Sequence, residues 1–304
     1  MPQTLTVSPA LLTIAAQDKS KVFAEPANPD PVLTWTVNGL VNGETTNVLT
    51  PITISRVAGE NAGTYAITPA GGTSANYTNN RIGGIFTIAK ASPTILISPD
   101  VIPTKTFGDA PFQLTATHSA GLAVIWSSSV TNVAMVAVNN SGQVAIKGVG
   151  STIITASHPG DSNYNAASTD RTLTVNAAQP TITFTTIPTK TYGDTNFFLS
   201  ATSSAGLPLF YRSASTSVAT VNFSNGLVTI RGAGTSVMTA SNAATANYQA
   251  VSTNQTLTVN QAQLTVTASN VSRPFNQTNP PLPFSVTGFV NGETTNVLTA
   301  QPST

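Results

Sequence analysis

The chain has no cysteine, which excludes a disulfide framework, zinc–thiolate sites and iron–sulfur clusters together. Charge is nearly as scarce. Asp, Glu, Lys and Arg make up 8% of residues, against roughly 25% in ordinary soluble domains. The formal net charge is +1 without any block of like sign, so no polybasic surface for nucleic acid or anionic lipid is expected. Eleven acids and two histidines are spread over 304 residues, too thinly to suggest an active site. There is no run of about eighteen apolar residues to span a bilayer as a helix, and no direct membrane contact is expected. Met1-Pro2-Gln3 lacks the charged start and apolar core of a signal peptide.

What the chain does have is threonine, about one residue in six, with Asn, Ser, Ala, Val and Gly close behind. β-Branched residues fit a pleated, half-buried surface, while Gly, Asn and Ser supply turns. The composition points to strands and argues against a helical or α/β protein. At roughly 100–200 residues per domain, the length allows two or three domains.

Internal repetition is the strongest signal. IPTKTFGDAPFQLTATHSAGL at 102–122 returns as IPTKTYGDTNFFLSATSSAGL at 187–207, an offset of 85. Trp126 falls over Tyr211. After a one-residue loop change the offset is 84, with Asn163-Tyr164 over Asn247-Tyr248 and LTVN 173–176 over LTVN 257–260. A longer period overlies the first. TVNGLVNGETTNVLT at 36–50 returns as SVTGFVNGETTNVLT at 285–299, and QTLTVSPALLTI at 3–14 as QTLTVNQAQLTV at 255–266, offsets of 249 and 252. The chain is expected to be a window on a longer array, one period of a three-domain unit plus some overlap.

Within one repeat the pattern is that of strands. Phe112, Leu114 and Ala116 alternate with polar residues, and Leu122, Val124 and Trp126 share a face, a period of two with one side buried. AMVAV 134–138, NNSG 139–142 and QVAIK 143–147 read as a hairpin with Asn139 or Asn140 opening the turn and Gly142 at positive φ. STIITAS 151–157 and TLTV 172–175 complete about seven strands in about 84 residues, the spacing of a sandwich. LTIAA 12–16, LTWTV 33–37, ITISR 52–56, GTYAIT 63–68 and GGIFTIAK 83–90 predict a similar first domain. The joints are short, and Pro93 and Pro180 stiffen two of them.

GETTNVLT (43–50), NAGTYAITPAG (61–71), ANY (75–77) and IFTIAKA (85–91) resemble the MBG domain, a bacterial immunoglobulin-like module. AGLAVIWSSSVTNVAMVAVNNSGQVAIKGVGSTIITAS at 120–157 and its copy at 205–241 resemble the bacterial Ig-like domain of the Big type. The copy has Tyr-Arg where the usual Trp-Ser would stand. The resemblance covers nearly the whole chain. It implies an all-β fold of tandem immunoglobulin-like sandwiches in an elongated array, spacer or stalk roles in adhesins, and no active site. The expected division is 1–10 as the last strand of a preceding domain, 11–91 as an MBG-type sandwich, 92–178 and 179–262 as Ig-like sandwiches, and 263–304 as the front half of another MBG-type domain.

No catalytic, metal-binding or cofactor-binding residue is expected. His118 falls over Ser203 and His158 over Asn242, so both histidines are expected at solvent-facing positions. Asp161 is replaced by Thr245 and is not expected to be a ligand. Calcium would be left only a joint lined with backbone carbonyls. In TFGD and TYGD, Gly108 and Gly193 are expected to take a conformation closed to side chains, while Asp109 and Asp194 accept turn N–H groups. Trp35, Trp126, Tyr211, Phe112, Phe197, Tyr164 and Tyr248 are expected as core or end plugs. Lys90, Lys105 and Lys147 show no pattern for an isopeptide crosslink.

The function expected from these readings is that of a structural spacer in a large extracellular or surface-attached bacterial protein, not an enzyme, whose partners are neighbouring domains of the same chain. Two rivals stand beside it. One is a glycan- or protein-binding module, favoured if exposed aromatics cluster at one end. The other is a head-to-tail filament in which Gln3, Leu5 and Val7, the candidate strand donor, add to the half domain of the next molecule.

Overall fold

A computed structural model describes residues 1–23, 29–137 and 141–300. Apart from two single-turn 3-10 helices, Thr46–Val48 and Thr295–Val297, every regular element among them is a strand. By contact density the chain divides into two units, Met1–Lys105 with Asp109–Val175, and Thr106–Gly108 with Asn176–Thr304.

The first unit holds two sandwiches. In one, a three-stranded sheet runs in the order Trp35–Asn38, Ala10–Ala16, Tyr77–Ile82. Facing it, a four-stranded sheet runs Lys19–Val22, Gly84–Ala89, Gly63–Gly71, Ile52–Arg56. The opening strand serves both sheets. Ala10–Ala16 lies parallel to Tyr77–Ile82, the chain breaks at Gln17-Asp18, and Lys19–Val22 lies parallel to Gly84–Ala89. Asp18 fixes the crossing, since its Oδ1 accepts from the Ile85 amide at 2.6 Å. The buried faces carry Leu12, Ile14 and Tyr77 in one cluster and Phe23, Ile67, Phe86 and Ile88 in another. Burying each such aliphatic or aromatic side chain contributes roughly 1.5–3 kcal/mol.

The second sandwich explains a feature that alternation alone does not show. The run 112–118 is two strands, with the sheet changing at Leu114. Phe112–Gln113 pairs with Gln143–Ile146, and Thr115–His118 pairs with Ile95–Ser98. The remaining sheet runs Ile125–Ser128, Gly150–His158, Ala167–Asn176, Lys105–Thr106. The hairpin of Ala134–Val136 with Gln143–Ile146 is present, with Gly142 at φ +70; Val138, Asn139 and Asn140 lie outside the described residues.

The second unit repeats this plan. Phe197–Phe198 pairs with Leu227–Ile230, Ala201–Ser203 with Ile182–Phe184, and Val251–Asn260 with both Gly234–Asn242 and Lys190–Thr191. Beyond it, Thr265–Ala268 and Phe284–Thr287 form an antiparallel hairpin whose first strand is exposed throughout.

Trp126 and Tyr211 take the same place. Each is buried, in a strand that sets it opposite a buried alanine, Ala156 and Ala240 respectively. Trp35, by contrast, is only half-buried, because Trp35–Asn38 is an edge strand. Phe112 and Phe197 are also half-buried rims, not inner core. Each ring lies under a lysine, with Lys105 Nζ and Lys190 Nζ each 4.8 Å from the ring centre. Replacing Trp126 with Ala should cost about 3–5 kcal/mol, the range for a buried aromatic cut to a methyl. Chemical denaturation followed at the second sandwich should show it; an unshifted midpoint would mean that Trp126 faces solvent.

Candidate functional site: the joints between domains

Hydrogen-bonding side chains and aromatic rings meet at the joints between sandwiches. At the end of the first sandwich, the Phe23 amide donates to the Ala89 carbonyl at 2.8 Å. This anchors the aromatic residue to the last strand of its own domain. The Phe23 ring then meets Tyr164 edge to face, 5.3 Å between centres at 87°. Such a pair is worth about 0.5–1.5 kcal/mol beyond its buried area.

Tyr164 is presented by a tight turn. Asp161 Oδ1 accepts from the amides of Asn163 and Tyr164, both at 2.8 Å, and the Asp161 amide donates to the Tyr164 carbonyl at 3.0 Å. Those two amides hold the Asp161 carboxyl below its ordinary range. Around the rings runs a seam of hydrogen bonds. Ala91 donates to Asn163 O at 3.0 Å and accepts from Asn165 N at 2.8 Å. Asn163 Oδ1 accepts from the Ala62 amide at 2.9 Å, its Nδ2 donates to Asn61 Oδ1 at 3.1 Å, and Lys90 Nζ donates to Asp161 O at 2.5 Å.

The second unit contains the same joint with different side chains. The Phe107 amide donates to Asn176 O at 2.9 Å, and its ring meets Tyr248 edge to face at 5.5 Å and 85°. Thr245 Oγ1 stands in for the Asp161 carboxylate and accepts from Asn247 and Tyr248 at 3.3 and 3.1 Å. Ala178 takes the role of Ala91, donating to Asn247 O at 3.0 Å and accepting from Gln249 N at 2.8 Å.

A third joint follows within that unit. The Tyr192 amide donates to Asn260 O at 2.8 Å, and its hydroxyl donates to Glu293 Oε1 at 2.8 Å. Gly193 sits at φ +101, and a Cβ there would lie 2.8 Å from Cβ of Val290, so neither backbone nor space admits a side chain. Asp194 closes the turn, with Oδ2 accepting from the Thr191 amide at 2.9 Å. Gly108 takes a like conformation at φ +94, and Asp109 beside it is exposed. The three anchors are Lys21-Val22-Phe23, Lys105-Thr106-Phe107 and Lys190-Thr191-Tyr192, a lysine, a spacer and an aromatic.

The expectation that His118 faces solvent is overturned: it is 3% exposed. It continues the inward face of Leu114 and Ala116 and ends beneath the joint, its ring centre 5.1 Å from His158 and 6.2 Å from Tyr164. Its Nδ1 accepts from the Ala120 amide at 3.1 Å. Burial first, and then the neighbouring His158, push the His118 imidazole below its ordinary value. His158 is half-buried. Asn242, its counterpart, is buried and donates to Ala243 O and Gln249 O at 2.9 and 3.1 Å. Replacement by a small polar residue therefore does not mark a solvent position here. Tyr164 and Tyr248 are half-buried because each serves a joint and not a core. Gln3, Leu5 and Val7 lie in no strand, with Leu5 91% and Val7 82% exposed.

Sequence reasoning missed one charged cluster. Lys21 Nζ lies 2.7 Å from Asp30 and 2.6 Å from Glu60, and Arg56 lies 2.5 Å from each of the same acids. Arg56 also covers the rings of Phe86 and Tyr65 at 4.8 and 5.4 Å. Hydrogen bonds from Arg56 and Lys21 hold Asp30 low, those from Lys21 and Arg56 hold Glu60 low, and both cations are raised. Among the described residues no group of three His, Asp or Glu could hold a metal ion, and no helix is long and apolar enough to cross a membrane.

These features define a class: tandem immunoglobulin-like β-sandwiches joined by built, hydrogen-bonded seams. The domain types follow from comparison. Residues 12–87 and 264–304 match the family model of the MBG domain (YGX type), and residues 199–244 match that of the intimin immunoglobulin-like domain. Residues 12–87 and 264–304 are thus of the MBG type and 199–244 of the intimin Ig-like type, domain types of bacterial surface adhesin-like proteins. None of the curated proteins compared with the chain matches it.

Solved structures similar to the chain include mouse protocadherin-24 EC1-3, at 11% identity over 85% of this chain and 99% of that one, with a TM-score of 0.27. Drosophila N-cadherin EC1-3 is 13% identical over 67% and 79%, with a TM-score of 0.23. The surface layer protein SbsC, domains 1-6, is 12% identical over 83% and 44%, with a TM-score of 0.25. Likenesses this weak carry nothing about function.

Two outcomes are expected. Asp161→Thr should leave amide exchange at 61–62 and 163–165 nearly unchanged, as Thr245 does the same work, whereas Asp161→Ala should speed it; equal effects would refute the turn's role. The charged cluster should make the first sandwich acid-sensitive. Because the Asp30 and Glu60 values are depressed on folding, their contribution is complete above the ordinary carboxylate range and is lost as pH falls below about 4. Melting temperature against pH should show that loss, and Arg56→Gln should flatten it.

Proposed function

We propose that the chain is a non-catalytic spacer segment of a secreted or surface-attached bacterial protein, holding a binding or anchoring element away from the surface. The observation that carries this reading is the joint built three times on a Lys-x-aromatic anchor, Phe23, Phe107 and Tyr192. A tether that only had to connect domains would need no such seam. In the first unit the joint fixes Phe23 to the last strand of its own sandwich and sets it against Tyr164 of the next, an arrangement that resists bending. The absence of catalysis is supported by the matched domain types and by the work already given to the acids, since Asp18, Asp161 and Asp194 all hold backbone amides. An extracellular place is supported by the same domain types.

The binding-module reading has less support. Phe223 is exposed, but it stacks on Phe210 at 4.7 Å and Arg212 lies 5.6 Å from its ring. Solution scattering tests the spacer. A sandwich with strands of roughly ten residues at about 3.3 Å each is roughly 35–40 Å long. Three in line should give a maximum dimension above about 100 Å, and a value below about 70 Å would show domains folded back and end the proposal.

A further inference from the structure

We propose that the first sandwich carries an open socket for the turn of another Ig-like domain, and that tyrosine in that turn is what the socket selects. The inference rests on the spacer reading and names the residues that set domain order. The hairpin region 285–299 repeats 36–50 in geometry as well as sequence. Gly39 and Gly288 both have φ +99, with a Cβ site 2.2 Å from the carbonyls of Leu11 and Gln263 respectively; Asn42 and Asn291 have φ 58 and 55. In the later copy this region is occupied: Tyr192 reaches Glu293, and Gly193 sits against Val290. Its counterpart residues, Val41, Asn42 and Glu44, line an open cleft of about 430 Å³ together with Val7, Ser8 and Tyr77. Glu44 accepts from the Tyr77 hydroxyl with Oε2, leaving Oε1 for a second phenol.

The neighbouring strand agrees. Val259 and Asn260 pair with Lys190 and Thr191, and the Asn260 carbonyl anchors the Tyr192 amide. The matching QTLTVS at 3–8 is exposed and unpaired in any sheet. The occupant that fits both features is a Lys-Thr-Tyr-Gly-Asp segment of a domain like 179–260, joined through residues 3–8. Phenylalanine anchors behave differently: Phe23 and Phe107 meet the tyrosine rings of Ig-like domains, while Tyr192 meets a glutamate on an MBG-type domain. A phenol donates to a carboxylate and a phenyl ring cannot. The ring of the anchor therefore specifies which domain type follows.

The test lengthens the full chain by placing residues 179–254 ahead of Gln3, so that 3–8 supply the last strand of the added domain. Amide hydrogen exchange is followed at 3–8 and 41–44. Residues 3–8 should become protected and 41–44 should slow by about tenfold. In the added copy, Tyr192→Phe should lose part of the slowing at 41–44 and Tyr192→Ala all of it, with 3–8 still protected. Unprotected 3–8, or exchange at 41–44 that ignores the added tyrosine, would overturn the socket. Concentration-dependent slowing at 41–44 in the unlengthened chain would give the cleft to a second copy and would also overturn it. Scattering of the unlengthened chain decides the spacer reading separately.

Discussion

One backbone hydrogen bond organises the joints: the amide of an aromatic residue donating to the final carbonyls of its own domain. It recurs from Phe23 to Ala89, from Phe107 to Asn176 and from Tyr192 to Asn260. The parallel pairing just before it, at Lys19–Val22 and at Lys190–Thr191, brings the start of each domain beside its end. The aromatic is thus carried to the exit of the sandwich and held there. The next domain needs only one complementary group, a tyrosine ring or a carboxylate, to meet it.

The sparse charge of the chain makes sense in these terms. A repeat with few ionisable groups relies on packed sheets and on small polar side chains that hold backbone amides. Asp161 and Thr245 do the same work in sister turns, so the work needs an oxygen acceptor and not a charge. Two buried hydroxyls work in the same local way: Thr152 and Ser236, at matching places in the two sister sandwiches, accept from the amides of Val130 and Ser215 at 2.9 Å each. Leaving such a buried amide without its partner would cost about 1–3 kcal/mol, which makes these oxygens structural. The cluster of Lys21, Asp30, Arg56 and Glu60 departs from this pattern, and its Lys21 lies two residues ahead of the Phe23 anchor.

Much of the fold was legible because alternation and repetition agree. Trp126 over Tyr211 followed from the register, and the domain types from short motifs. The switch of sheets at Leu114 was not legible, since a strand that changes partners keeps its period of two. Tyr77–Ile82 was missed because in YTNNRI only Tyr77 is buried and Asn79 and Arg81 follow it on the same face, so the strand carries no apolar stripe. His118 could have been placed by extending the inward series Phe112, Leu114, Ala116 by one step. The joints were half visible. Tyr164 and Tyr248 recur, but Lys-x-aromatic is too short to notice until three of them are seen against three terminal strands. The charged cluster joins residues far apart in sequence, and no local pattern announces it.

The Phe23–Tyr164 joint should make the two sandwiches of the first unit one body, and this can be measured directly. Residual dipolar couplings would be collected for amides of both sandwiches in weakly aligned solution. The account predicts that a single alignment tensor fits both, and that Tyr164→Ala splits it into two. Two tensors of different magnitude in the unaltered chain would contradict it, because the seam would then be closing only part of the time.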